Sequence, residues 1–350
     1  MKSFLKLAVF SIAVFCFVSC GNAPKGIEIV PDEAQRKVDI LYDGQLFTSY
    51  IYPADLEKPV LYPIYTSKGT VITRGYPLDP RPFESPDHPH HVGAWFNHGE
   101  VGPLNFWGNQ SVTSSARSAE RQARLGWIRH RNIISTENGP DQGVLTVAAD
   151  WVDYTEKPWL KEETKFIFSG KGDWRMIERI TRLTAQQDTV VFGDTKEGSL
   201  AIRMDHVFHE QTGEPEVLLD ASGKPAEVKA INKAANGMYR NSEGFEKEAG
   251  VWGKPAKWVS LSAEKAGEKI TVAMIDHRNN PGYPAHSHAR GYGLFSTNNF
   301  GSKGFDENNP LFNFTMNPGQ STTFRWMIIV KTNGYATDDE INKIFADFNR

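Results

Sequence analysis

Residues 143–185 read GVLTVAADWVDYTEKPWLKEETKFIFSGKGDWRMIERITRLTA, and this stretch decides the fold. Three runs rich in β-branched and aromatic residues, Gly143–Tyr154, Leu160–Phe168 and Trp174–Ala185, are separated by short turns such as Ser169-Gly170-Lys171-Gly172-Asp173. Such runs favour strands, and connections this short leave no room for a crossover helix. In the third run Met176, Arg179 and Leu183 mix with Ile177 and Ile180, so its alternation reads as imperfect.

The same texture extends in both directions. Val38–Tyr52 reads as two strands joined by Asp43-Gly44, a dipeptide suited to a type I′ hairpin turn. Phe312–Met316 and Ser321–Val330 flank Asn317-Pro318-Gly319 and read as a strand pair around a turn. One helix is well marked near the end: Thr337 is its N-cap and Glu340 completes a capping box. Ile341, Ile344, Phe345 and Phe348 follow at helical spacing, an apolar stripe for docking on a sheet. Glu210–Gly250, polar and rich in Gly, Ala and Lys, reads as a long excursion. Many short strands without βαβ alternation predict an all-β, mainly antiparallel chain: one large β-sandwich domain over residues 20–350 with a C-terminal helix.

The N-terminus reads as an address. Lys2 and Lys6 precede an apolar stretch from Leu7 to Val18, too short to span a bilayer. The following Ser19-Cys20 resembles a bacterial lipobox, so residues 1–19 are expected to be a lipoprotein signal peptide and Cys20 the lipidated residue. Phe17 stands where a lipobox usually has Leu. This predicts a protein of the cell envelope, held to a membrane through its lipid alone, in the periplasm or at the outer membrane. The other cysteine, Cys16, lies inside the signal, so the core rather than disulfides must stabilise the fold. With 39 basic against 42 acidic residues there is no bulk field to attract nucleic acid, and no nucleic-acid partner is expected. Nine Trp and eleven Tyr suit a carbohydrate ligand better, since aromatic faces stack on sugar rings.

Three stretches concentrate chemistry. Asp87-His88-Pro89-His90-His91-Val92-Gly93-Ala94-Trp95-Phe96-Asn97-His98 gathers four of the ten histidines. Imidazole serves as acid, base or ligand near neutral pH. Pro89 favours extended geometry at His88, which would put His88 and His90 on one face and His91 on the other. Phe192–Arg203 carries Lys196 and Glu197 on a charged turn between two glycines, where a carboxylate can oppose a histidine as a general acid/base pair. Asp276–Arg290 adds His277, His286, His288, Arg278 and Arg290 before an aromatic run. Walker, dinucleotide, nucleophile-elbow and zincin motifs are missing, which disfavours nucleotide, serine-hydrolase and zincin chemistry. Trp127, Trp174 and Trp326, in strand-like runs, are expected in the core.

Taken together, Asp87-His88-Pro89-His90-His91 with Asn105-Phe106-Trp107, then Phe192–Arg203, then His288-x-Arg290-x-Tyr292-Gly293-Leu294-Phe295 resemble a bacterial family labelled PmoA-like or methane oxygenase PmoA. Val92 stands where that family commonly has Arg, and Gly102-Pro103 where it often has Asn-Gly. The run Phe312–Val330 resembles the closing strands of galactose-mutarotase-like supersandwiches, which implies a sugar-sized cleft on one sheet served by a histidine and a carboxylate. The leading expectation is a carbohydrate-active protein of epimerase, lyase or hydrolase type. His90, His91 and Glu197 are its expected catalytic groups. His88, Trp95, His98, Trp107, Lys196, Arg203, His288 and Arg290 are its expected substrate contacts. No cofactor is expected, and a metal on His88 and His90 is the alternative. The rivals are a non-catalytic glycan-binding lipoprotein and the metal-dependent oxygenase that the family label implies.

Overall fold

The computed structural model describes residues 26–108, 120 and 123–350. The signal segment, Cys16 and the expected lipidation site Cys20 lie outside the described residues. The described chain begins with β1 (Ile27–Asp32), β2 (Lys37–Tyr42), β3 (Gln45–Ile51), β4 (Val60–Ile64) and β5 (Ala94–His98). Next come β6 (Trp127–Glu137), β7 (Gln142–Val152), β8 (Pro158–Lys171), β9 (Trp174–Ala185), β10 (Val190–Phe192) and β11 (Gly198–Arg203). The remaining strands are β12 (Met238–Asn241), β13 (Trp258–Lys265), β14 (Glu268–Asp276), β15 (His286–Ser287), β16 (Leu294–Asn298), β17 (Phe314–Met316) and β18 (Ser321–Lys331). Helices α1 (Lys247–Val251) and α2 (Asp338–Phe348) accompany them.

These strands make two eight-stranded sheets, ordered β1-β2-β3-β4-β5-β11-β16-β15 and β12-β13-β14-β18-β9-β8-β7-β6, with β10 and β17 as a small third pair. The ladders of the central strands are antiparallel throughout. Phe47, Phe96, Leu200 and Phe295 of the first sheet meet Val147, Phe166, Ile177, Phe324 and Trp326 of the second in one buried cluster. The molecule is a large antiparallel β-sandwich, as residues 143–185 predict.

Local chemistry explains the joints. Asp43 and Gly44 both take positive φ (50° and 76°), the pair a type I′ turn needs. Thr337 accepts from the Glu340 amide and the Glu340 carboxylate answers the Thr337 amide, closing the capping box. Helix α2 then lays Ile341, Phe345 and Phe348 over Trp258, Ile275 and Ile329, on the outer face of the second sheet.

Three expectations are corrected. The alternation of β9 is clearer than its sequence: Ile177, Arg179, Thr181 and Leu183 are all buried at period two, with Glu178 the one buried residue between them. Arg179 is tolerated there because Glu162 accepts from it at 2.6 Å and Thr181 at 2.8 Å. The segments around Asn317-Pro318-Gly319 do not pair with each other. Strand β17 pairs with β10, while β18 crosses to lie between β9 and β14. The turn signal is real, with Gly319 at φ 78°, but the chain changes sheets there. Trp326 is fully buried, whereas Trp127 and Trp174 are only half-buried.

Candidate functional site

The outer face of the first sheet carries the site. Side chains along a strand alternate between faces. Ala94 and Phe96 of β5, Leu200 and Ile202 of β11, and Phe295 of β16 enter the sandwich core. Their neighbours Trp95, Ala201 and Leu294 point the other way and join Tyr62, Val92 and Trp107 in a second apolar cluster. That cluster is the floor of a cleft of about 570 Å³ walled by the three chemistry-bearing stretches.

The histidine stretch forms a reverse turn. The His91 amide donates to the His88 carbonyl at 2.9 Å, with Pro89 and His90 at the centre of the turn and His88 at φ 40°. The extended geometry expected for His88–His91 is therefore replaced, because Pro89 serves the second position of a turn. The consequence is chemical: all three rings gather on one side. His88 stacks on His91 at 4.9 Å between centroids, and His90 meets His91 edge-on at 4.2 Å. Gly93 follows at φ 55°, where any Cβ would lie 2.3 Å from the Leu61 carbonyl oxygen.

Buried cations hold this turn. The Arg74 guanidinium donates to the carbonyls of Ser85, Asp87, His88 and His91 and to the Asp87 carboxylate, at 2.7 to 3.1 Å. Arg203 donates to the same carboxylate. Burial alone would raise the Asp87 pKa, but Arg203, His88 and Arg74 outweigh it and keep the carboxyl well below its usual range. Lys58, buried beneath the turn, donates to the His90 carbonyl at 2.8 Å and sits over the Trp95 ring. Burial lowers its pKa to about 8 against the pull of Glu57.

The second wall is the segment before β11. The Asp194 carboxylate accepts from the amides of Ser302, Lys303, Gly304 and Phe312, fixing the approach to Lys196 and Glu197. The third wall comes from β15–β16: His288, Arg290 and Tyr292 line the cleft. Arg290 pairs with Glu248 at 2.7 Å, and Tyr292 stacks on His88 at 5.2 Å.

His91 and His288 are held neutral. Burial lowers the His91 pKa well below 6.5, and the nearby His90, Arg203, His88 and Arg74 add to it. Burial takes His288 to about 3, helped by Arg290 and Lys196 and opposed by a backbone hydrogen bond at Lys196. A base whose conjugate acid titrates this low carries protons poorly near pH 7, so both rings suit hydrogen bonding to substrate rather than proton transfer. His91 is 2% exposed, and neither ring nitrogen has a hydrogen-bond partner among the described residues.

Eight expected site residues line the cleft: His88, His90, His91, Trp107, Lys196, Glu197, His288 and Arg290. Three do not. Trp95 is fully buried in the floor, packed between His91 and Trp107, and offers no face to a ligand. Arg203 is fully buried behind Asp87 and braces the turn. His98 points into the sandwich, against Phe192 and Phe300, with Nε2 2.7 Å from the Gly193 carbonyl oxygen. His88 Nδ1 is already 2.6 Å from Asp87, and the described residues bring no three His, Cys, Asp or Glu side chains together for an ion. Sequence reasoning passed over Arg74 and Asp87 as the brace of the turn, and Tyr292, Arg124 and Asn105 as lining. Tyr292 stood inside a quoted motif; Arg124 had no signal.

A second cleft, of about 560 Å³, lies beside the stacked Tyr52 and His130 rings and shares only Lys58 with the residues described above.

Comparison with known proteins adds a family. The family profile described as a family of unknown function, DUF6807, matches residues 37–346. The chain belongs to DUF6807. This match brings no activity with it and no support for the PmoA-labelled resemblance. A search among curated proteins finds no match to this DUF6807 chain. Among solved structures, an α-galactosidase from Geobacillus stearothermophilus is similar at 11% identity over 82% of this chain and 39% of its own, with TM-score 0.39. The aldose epimerase homologue from C. elegans is 9% identical over 89% of this chain and all of its own, with TM-score 0.30. A galactose mutarotase related enzyme from Lactobacillus acidophilus is 9% identical over 88% and 97%, with TM-score 0.29. The chain spans about four-tenths of the length of the galactosidases it matches.

Proposed function

We propose that this protein binds a carbohydrate in the histidine cleft and transforms it by proton transfer, as an epimerase, lyase or hydrolase. The observation that carries the reading is His91: a buried imidazole on the wall of a cleft, with no partner for either ring nitrogen among the described residues. An unpaired buried polar group is costly, and a ligand rich in hydroxyls answers it. Glu197, one-third exposed on the facing wall, is the proton carrier, and His90 is its counterpart. His91 and His288, as neutral imidazoles, orient sugar oxygens, and Trp107 supplies the aromatic surface beside them. Export and lipidation at Cys20 would place this chemistry in the cell envelope; replacing Cys20 with Ala should then move the protein from the membrane fraction to the soluble one.

The test is a screen of oligosaccharides for product, followed by variants. Glu197→Gln should lower kcat by about 10²-fold or more, the scale of lost general acid–base catalysis, while binding persists. Binding without product over long incubation, lost on Trp107→Ala, would replace the enzyme with a glycan-binding protein. The reading uses no metal, so elemental analysis of protein never exposed to a nickel column should find well under one transition metal per chain.

A further inference from the structure

We infer that the sugar taken by this cleft carries an anionic oxygen group, a carboxylate or a sulfate ester. The inference rests on the carbohydrate reading above and deepens it. Among the described residues, the charged side chains lining the cleft are Arg124, Lys196 and Arg290 against a single carboxylate, Glu197. Glu197 cannot balance them: it sits 3.9 Å from Lys196, near the limit of an ion pair. Arg290 already has Glu248. The exposed Arg124 has no carboxylate or other acceptor for its guanidinium among the described residues.

The layer behind the wall has the same sign. Arg74 and Arg203, both fully buried, share one carboxylate, that of Asp87. Nε and Nη1 of Arg203 have no partner among the described residues. The charged neighbours that act most on His91 all repel a proton there, and Arg290 and Lys196 do the same at His288. Two ring histidines thus stay uncharged in a cleft whose fixed charges are mainly positive. A low-dielectric cleft lined by one sign of charge concentrates ligands of the opposite sign, and a guanidinium fork matches the paired oxygens of a carboxylate or sulfate. A neutral sugar would use the hydrogen bonds and leave Arg124 unanswered and Lys196 with only a long contact to Glu197.

The experiment is calorimetric titration of the mature full chain with oligomers of galacturonate, glucuronate and mannuronate, their neutral galactose, glucose and mannose counterparts, and sulfated galactose oligomers. The expected result is that an acidic oligomer binds at least about tenfold more tightly than its neutral counterpart, the scale of one charge-assisted hydrogen bond. That advantage should shrink as salt rises. The carboxylated and sulfated arms tell which anion is preferred. Arg124→Ala and Lys196→Ala should each reduce the advantage several-fold without lowering the melting temperature, since Arg124 is exposed and Lys196 is only half-buried. A neutral oligomer that binds as tightly as its acidic counterpart overturns this inference and leaves the carbohydrate reading standing. Binding of no oligomer overturns both.

Discussion

Five acceptors from residues 85–91 converge on the guanidinium of Arg74, which makes that residue the mechanical centre of the site. Replacing it with Ala strands four carbonyls and leaves Asp87 with only Arg203 and His88. Breaking a buried pair in this way costs about 3–5 kcal/mol, and urea unfolding of Arg74→Ala should show a loss on that scale together with lost ligand binding. Little of this was legible at the residue scale. A lone Arg in a polar stretch gives no sign that it will be buried. The misplacement of His98 was avoidable. Trp95 and His98 are three positions apart, so in a strand they face opposite ways, and the two cannot both border one cleft. Once Ala94 and Phe96 are taken as core, parity sends His98 inward and Trp95 to the cleft side.

Helix α2 shows how the elements divide their work. It rests on the outer face of the second sheet, with Trp258 Nε1 donating to Asn342 Oδ1 at 2.8 Å, while the cleft lies on the outer face of the first. Thr337→Ala should therefore cost about 1 kcal/mol in stability, the usual value of an N-cap, and leave ligand affinity unchanged. Thermal unfolding and titration of the same variant check both halves. This helix was legible because its cap and its stripe are local. So were the hairpins of residues 38–52 and 143–185, where short turns separate runs rich in β-branched and aromatic residues. The partners of β18 were not legible: its ladder to β14 joins residues 50 or more positions apart and its ladder to β9 residues more than 135 apart, and no neighbouring residue encodes that choice.

For the whole molecule, burial sets the response to acid. Eight of the ten histidines have pKa values lowered by the fold, among them His98 and His130 to about 4 and His288 to about 3. Between pH 6.5 and 4 the unfolded chain takes up protons that the folded chain refuses, so stability falls as pH drops. Asp276 works in the opposite sense. Burial raises it to about 7 despite donors from Asn299 and Asn280, so its own contribution falls as pH rises from 4 to 7. Burial also raises Glu210, which acts in the same sense as Asp276, and two carboxylates against eight imidazoles leave the histidines dominant. Melting temperatures measured from pH 7 down to 4 should decline, and His288→Gln should flatten part of that slope. The sandwich itself predicts a far-ultraviolet circular dichroism spectrum dominated by strand.

On the proposed reading, a sugar sits in the cleft over Trp95, walled by His91, Glu197 and His288. A crystal soaked in mixed acidic and neutral oligosaccharides tests it most directly. The account predicts a sugar ring in that cleft, with an oxygen within hydrogen-bond distance of a His91 ring nitrogen and another group against Glu197. A sugar seated instead beside Tyr52 and His130, with the histidine cleft holding only solvent, would contradict it.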